Sequence, residues 1–264
     1  MTRLPAADAA IVSGSGLTAV PAGYEVVDEI GYGALGWPAT AVAGHPNRLL
    51  VAEASSPPRR LLLACGRAHL YEGWRSHEVE RPVRDLTAAG VGAIVLTNAT
   101  GGLSAECPSG TAVVITDVVD LQDAPLDEPP VLPVLARERA QAMADQVGAH
   151  MPARVGRYVA VPGPQYESPT EAAWLAAYGQ VVGMSAAREV RAARELGLPI
   201  AVLALVVNRS GAPMGHDDVL AAGARLADGL ASALPAVVAA MVAASRPASG
   251  VRSAIPGRDQ EVSP

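Results

Sequence analysis

The sequence predicts an α/β protein built as a single domain, and three observations point there. Short runs of branched and aliphatic residues alternate with longer runs rich in Ala, Leu and Arg, the rhythm of strands followed by helices. The chain has 264 residues, half of them hydrophobic, which suits one α/β core. The Gly-, Ser- and Asn-rich clusters sit directly behind strand-like runs, where α/β sheets place their ligands.

Taken in order, residues 10–12 read as a short strand that ends at Ser13-Gly14-Ser15-Gly16. Residues 49–53, a short strand, and 60–65 follow, with a turn signal in Ser55-Ser56-Pro57-Pro58 between them. Residues 82–89 read as a helix stopped at Gly90. Residues 91–97 form a buried strand, and Asn98-Ala99-Thr100-Gly101-Gly102 reads as a small-residue turn at its end. A strand at 112–119, a helix at 134–147 and a strand at 157–161 come next. A helix at 170–178 takes Thr170 as its N-cap, and Val181-Val182 leads through Met184-Ser185 into a helix ending at Leu196. The last elements are a strand at 200–207 and a long helix at 217–244, interrupted near Pro235. The domain therefore spans 1–244, and the polar, aperiodic stretch 245–264 is expected to be a disordered tail.

Composition removes several function classes. A net charge of −6 argues against nucleic-acid binding, which demands clustered basic charge. No uninterrupted 18-residue apolar run is present, so no membrane span is expected. The N-terminal segment lacks the pattern of a signal peptide, and a cytoplasmic location is expected. Cys65 and Cys107 form no CxxC pair, which argues against a disulfide scaffold or a zinc site. All 20 basic residues are arginine. Without lysine there is no Walker-type phosphate loop, no Schiff-base enzyme and no pyridoxal enzyme. Any phosphate must be held by Arg, His, Ser and backbone N–H groups.

The chemistry-bearing clusters fit that requirement. Ser13-Gly14-Ser15-Gly16-Leu17 lets backbone N–H groups approach an anion and adds the Ser15 hydroxyl, although the same letters also fit an ordinary turn. In Gly66-Arg67-Ala68-His69-Leu70-Tyr71-Glu72-Gly73 the residues Arg67, His69 and Tyr71 alternate, so extended chain would place them on one side. Arginine suits bidentate contact with phosphate. Val161-Pro162-Gly163-Pro164-Gln165-Tyr166-Glu167 offers an aromatic face beside a carboxylate, and equally fits a Pro-rich surface loop. Gly183-Met184-Ser185 adds a hydroxyl before a helix, and Asn208 ends an apolar strand with an amide that both donates and accepts.

In this order the pieces resemble the trimeric purine nucleoside phosphorylase family, from about residue 11 to residue 223. The resemblance rests on GSGL at 14–17, GH at 44–45, GRAHLYEG at 66–73, TNATGGL at 97–103, PGPQYE at 162–167, VGMS at 182–185, Asn208 and HDDVLAAG at 216–223. It implies a nucleoside phosphorylase-like fold with a mixed sheet flanked by helices, a homotrimer, and no metal or organic cofactor, with inorganic phosphate as co-substrate. It assigns phosphate to Ser15, Arg67, His69, the Ala99 N–H and Ser185. It assigns ribose to Tyr71 and Met184 and the 5′-hydroxyl to His216, with Val182 in the nucleoside wall and His45 near phosphate and ribose. Tyr166 would stack on the base, Glu167 and Asn208 would hydrogen-bond it, and Asn208, Glu167 and His69 would carry catalysis. The implied reaction is phosphorolysis of a nucleoside, of the 6-oxopurine kind, to free base and pentose 1-phosphate.

The chain also departs from the family pattern. Thr100 stands where the family commonly has Ala, beside the expected base. Asp117-Val118 replaces a family Asp-His, the stretch after Asp120 lacks an aromatic-bearing insertion, and the loop from Asn208 to His216 is short. Two further readings stay open at this point: a specialised paralogue acting on a 5′-modified or pyrimidine nucleoside, and a non-catalytic nucleoside-binding protein.

Overall fold

The protein was analysed as a computed structural model, which describes residues 2–56, 58–122, 128–213 and 215–245. The first half contributes β1 (Ala9–Val12), β2 (Glu25–Gly31), α1 (Tyr32–Leu35), β3 (Arg48–Ser55), β4 (Pro58–Cys65), α2 (Ser76–Val79), α3 (Arg81–Ala88), β5 (Ile94–Gly102) and β6 (Ala112–Asp120). The second half contributes β7 (Val131–Pro133), α4 (Arg137–Gly148), β8 (Ala153–Ala160), α5 (Pro169–Leu175), β9 (Val181–Gly183), α6 (Ala187–Glu195), β10 (Ile200–Arg209) and α7 (His216–Ser245).

Among the described residues, all ten strands join one mixed sheet, as the family resemblance implies. One wing runs β5, β1, β4, β3, β2, with β1 parallel to both β4 and β5. On its other side β5 starts a ring: β10 pairs β5 in parallel and β6 in antiparallel, β6 pairs β8, β8 pairs the three-residue β9, and β9 returns to β5. The ring closes at Gly101↔Val182 and Gly102↔Val181, so the C-terminal ends of β5 and β10 meet β9. Side chains alternate along the strands into two cores. Ala10, Val12, Leu62, Ala64, Ile94 and Leu96 face one, and Ile11, Leu61, Leu63 and Val95 face the other. Both faces are covered, which is why these strands read as continuous apolar runs rather than alternating ones.

Several boundaries differ from the sequence reading. Residues 98–102, expected as a turn, are the last half of β5, paired with β10 from Ala204↔Asn98 to Arg209↔Gly102 with a bulge between Val206 and Asn208. Pairing within the ring overrides the turn tendency of Asn and Gly. The strand expected at 49–53 is not short, because pairing with β4 carries it from Arg48 to Ser55. Residues 131–133, just ahead of the helix expected at 134–147, pair with β6, and α4 starts at Arg137 rather than at 134. Strand β8 begins at Ala153, ahead of the expected start at 157, because Ala112↔Ala153 extends its ladder. Strand β2 carried no sequence signal, since its residues are nearly all exposed and show no alternation. Ser168, not Thr170, caps α5: its Oγ accepts from Glu171 N at 3.2 Å, and Pro169 occupies the first turn. Pro235 lies inside α7 without ending it.

Helix α7 also contains a window with mean hydropathy 1.8, long and apolar enough to cross a membrane by length and composition. Its Leu230, Ala233, Leu234, Val237, Val238 and Met241 are buried in the second core, so its most apolar side packs on the sheet. The expected disordered tail lies outside the described residues beyond Ser245.

Candidate active site

A cavity opens where the ring closes, and it is walled by the ends of β1, β5, β9 and β10, the segment after β4, the 161–167 loop and the start of α7. Ser15, Arg67, His69, Tyr71, Ala99 and Thr100 line it. So do Tyr166, Glu167, Val182, Met184, Ser185, Asn208 and His216. His45 stands just behind, its Nε2 2.8 Å from Ser15 Oγ and its ring 5.6 Å from that of His69. The structure thus gathers every residue that the sequence nominated into one place.

The Ser15 corner exists because the chain after β1 lies directly on β5. A Cβ at Gly14 would sit 2.7 Å from the Thr97 carbonyl oxygen, and Gly14 N donates to Thr97 Oγ1 at 3.3 Å. Only glycine permits this approach. Arg67 is buried across from it. Its Nη1 donates to the Thr97 carbonyl at 3.1 Å and to Ser185 Oγ at 3.4 Å, and its Nη2 donates to the Val12 carbonyl at 2.9 Å. The strand ends thereby fix the guanidinium. Its Nε lies 2.7 Å from Oε1 of Glu189 on α6, and both side chains are 3% exposed.

The expected extended row of Arg67, His69 and Tyr71 is not what brings them together. β4 stops at Cys65, and residues 70–72 form a 3-10 turn capped by Glu72. Glu72 Oε1 accepts from His69 N and lies 2.9 Å from His69 Nδ1, while Oε2 accepts from Thr40 Oγ1 at 2.7 Å. The turn stacks Tyr71 on His69 at 4.8 Å and 15°. An ionised carboxylate only accepts, so Glu72 places the proton on Nδ1 and turns Nε2 of His69 away from itself. Burial alone would raise the Glu72 carboxyl, but the hydrogen bonds from His69 and Thr40 outweigh it and hold it below the usual range.

Burial, with His69 and Arg67 nearby, pushes the His45 imidazole down to about 3, so this ring is neutral at ordinary pH. Burial, followed by the Glu72 and Tyr166 charges, pushes the Tyr71 phenol up to about 12, which keeps it a hydrogen-bond donor.

Ser185 is presented on a strained backbone. Ala186 has φ 72° and ψ −38°, and Ala187 N donates to the Ser185 carbonyl at 3.0 Å, forming a γ-turn with positive φ. Strain of this kind persists where the surroundings enforce it, and it concentrates at functional sites. Asn98 Nδ2 donates to Ser185 Oγ at 2.7 Å, and the Ser185 N–H donates to Tyr158 Oη at 3.4 Å.

The opposite wall is built by the 161–167 loop. Gly163, at φ 75°, packs where a Cβ would come 2.9 Å from Tyr71 Cδ1, and this holds the loop against Tyr71 and Met184. Gln122, after β6, donates to the Val161 carbonyl at 3.3 Å and to the Met184 carbonyl at 3.2 Å, tying loop and β9 end together. Glu167 Oε2 accepts from Ser210 Oγ at 2.6 Å, and Asn208 Nδ2 donates to the Arg209 carbonyl at 3.1 Å. Tyr166 remains 40% exposed at the mouth.

Thr100 lines the cavity, and its hydroxyl donates its proton to the Leu205 carbonyl at 3.0 Å, so toward a ligand it can only accept. Arg209 is exposed and lies outside the cavity lining. His216 Nε2 sits 3.1 Å from the Ala43 carbonyl, which joins α7 to the segment before His45. Sequence reasoning missed Glu189, Glu72, Asn98 and Ser210. Asn98 and Glu72 lie inside motifs already singled out, and Ser210 is two residues from Asn208; Glu189 carried no signal, since a Glu flanked by arginines on a helix reads as solvent-facing.

Comparison with known proteins gives this architecture its class. The model of the phosphorylase superfamily matches residues 44–239. Purine nucleoside phosphorylase of Mycobacterium tuberculosis is 36% identical over 253 residues, covering 88% of this chain and 89% of that protein. That of a Cellulomonas species is 35% identical, covering 82% and 80%. A Schistosoma purine nucleoside phosphorylase solved with guanosine superposes at TM-score 0.72 with 26% identity, covering 88% and 90%; another, solved with hypoxanthine, gives 0.71, covering 91% of both chains. The chain belongs to the purine nucleoside phosphorylase family.

Proposed function

We propose that the cavity catalyses phosphorolysis of a 6-oxopurine nucleoside, with inorganic phosphate as the only co-substrate. The observation that carries the reading is the polarity of one cavity. Arg67, Ser15, His69 and Ser185 line it, Arg67 reaching Ser185 at 3.4 Å, and so do Tyr166, Glu167 and Asn208, with Glu167 tied to Ser210, two residues beyond Asn208. Phosphate fits the first set, because a fixed guanidinium, hydroxyls and an imidazole provide charge-assisted donors. A flat lactam base fits the second: Tyr166 stacks on it, Glu167 accepts its N1–H, and Asn208 faces its O6 and N7.

In the reaction a phosphate oxygen forms a bond to C1′ of the sugar as the bond from C1′ to N9 breaks. The electron pair of that bond leaves with the base, which takes up a proton while phosphate gives one up, and the products are free base and pentose 1-phosphate. The sugar passes through oxocarbenium character, which the adjacent phosphate anion stabilises. The departing base gathers negative charge, and Asn208 is positioned as the donor that stabilises it. Bringing both reactants into one cavity removes the entropic cost of their encounter at the moment of reaction. No enzyme nucleophile is required.

Schistosoma relatives solved with guanosine and with inosine agree with a 6-oxopurine, and another was solved with adenosine, which the test panel therefore includes. We further propose a homotrimer in the cytoplasm. A panel of inosine, guanosine, adenosine, uridine and 5′-substituted inosines, assayed with and without phosphate, tests the reading. Phosphate-dependent release of hypoxanthine or guanine is the expected result. Turnover of uridine alone, or of 5′-substituted nucleosides alone, would replace it with the specialised-paralogue reading, and binding without turnover would make the protein a nucleoside-binding one.

A further inference from the structure

We propose that Ser210 is a specificity-determining residue that engages part of the acceptor capacity of Glu167 Oε2, so that the site favours an inosine-type over a guanosine-type nucleoside. The inference rests on the 6-oxopurine reading above and deepens it.

The Ser210 hydroxyl donates to Glu167 Oε2 at 2.6 Å, within the short range of a hydrogen bond to an ionised oxygen. Ser210 cannot easily turn away. It is 7% exposed, its N–H donates to the Gly102 carbonyl at 3.0 Å, and its Cβ lies 3.1 Å from where a Cβ on Gly101 would stand. Residues 208 and 210 are buried while 209 is exposed, so Asn208 and Ser210 share the inner side of this strand end and Glu167 reaches them from the facing loop. The carboxylate is thus held by the same short segment that carries the base-facing amide.

The chemical consequence concerns the 2-amino group of guanine. A carboxylate with two free oxygens accepts two parallel N–H donors, here the N1–H and the 2-amino group. When Oε2 already holds a hydroxyl, Oε1 accepts the N1–H, and a 2-amino group meets an oxygen whose charge and one of whose two acceptor positions Ser210 already engages. Hypoxanthine lacks that group and loses nothing, whereas the 2-amino group of guanine gains a weaker bond than a free carboxylate oxygen would give it.

The test measures kcat/KM for inosine and guanosine with the wild-type protein, Ser210→Ala and Ser210→Thr. In parallel, calorimetry with phosphate present measures the binding of hypoxanthine and guanine to the same three proteins. The expected result is a wild-type preference for inosine and hypoxanthine. Ser210→Ala should shift both ratios toward the 2-amino compound by about tenfold, the scale of one hydrogen bond to a charged group. Ser210→Thr, which keeps the hydroxyl, should retain the wild-type ratios. Ratios that do not move in Ser210→Ala, with both purines still used, overturn the role of Ser210 and leave the 6-oxopurine reading standing. A wild-type protein that neither turns over inosine and guanosine nor binds their bases overturns the 6-oxopurine reading itself.

Discussion

Replacing Glu189 by glutamine keeps the side-chain volume and removes the charge, leaving the Arg67 guanidinium buried beside a neutral amide. At 2.7 Å the pair attracts by about 6 kcal/mol if the effective dielectric is near 20. The contact is coulombic rather than a well-directed hydrogen bond, since neither Arg67 Nε nor Glu189 Oε1 finds a partner with hydrogen-bond geometry among the described residues. The carbonyls of Val12 and Thr97 continue to hold the guanidinium, at 2.9 and 3.1 Å, so part of the interaction survives. Breaking a buried pair on one side costs about 3–5 kcal/mol. In a domain of this size that lowers Tm by roughly 6–20 °C, at about 2–4 °C per kcal/mol. The sign of the phosphate effect is the more telling part. The uncompensated guanidinium should welcome an anion more than the paired one does. Saturating phosphate should therefore raise Tm of Glu189→Gln by more than it raises Tm of the wild type. Differential scanning calorimetry with and without phosphate reads both quantities. A Tm within about 2 °C of wild type, or an equal phosphate increment in the two proteins, would refute the assignment of Glu189 as the partner that holds Arg67 in a charge-balanced, phosphate-ready state.

Three other outcomes are expected. Asn208→Ala should lower kcat by about 10²–10³-fold with a smaller change in KM, because the donor acts as charge develops on the leaving base; a change confined to KM would reduce Asn208 to a positioning role. Ala186→Gly should stabilise the protein by about 1 kcal/mol, since relief of positive-φ strain exceeds the added chain entropy of glycine; an unchanged or lower unfolding free energy would show that the γ-turn at Ser185 is not strained. For His45, the folded-state value of about 3 lies below the 6.5 of a free imidazole, so the unfolded chain binds the extra proton. The stability it contributes is complete above pH 6.5 and falls by ~1.4 kcal/mol per pH unit as pH drops toward 3. Urea unfolding at pH 7 and pH 5 should accordingly show a smaller acid loss for His45→Gln than for wild type, and equal losses would contradict the buried, neutral imidazole.

Local pattern in the sequence was enough for the α/β class, the course of most strands and part of the cavity, whereas His45, Val182 and His216 were assigned by the family resemblance. Branched apolar runs can hardly avoid the sheet interior, and a guanidinium, an imidazole and hydroxyls on Gly-rich segments after strands have little structural reason to be there. The ends of elements were less legible. Asn98-Ala99-Thr100-Gly101-Gly102 has the letters of a turn, and only its pairing with β10 and β9 makes it strand.

What the tertiary structure alone decided is the state of each site residue, because that depends on neighbours far away in the chain. Arg67 is balanced by Glu189, more than a hundred residues later, and nothing in the local sequence of α6 distinguishes a buried Glu from the solvent-facing Glu195 of the same helix. Thr100 looked like an intrusion beside the base until the parallel partner β10 supplied the Leu205 carbonyl for its hydroxyl. Ser210 became meaningful only when the 161–167 loop brought Glu167 within 2.6 Å. Hydrophobic periodicity is a local property that a sequence carries openly. The pairing of buried polar groups is a property of closure, set where the ring of β5, β10, β6, β8 and β9 brings distant segments into one low-dielectric site.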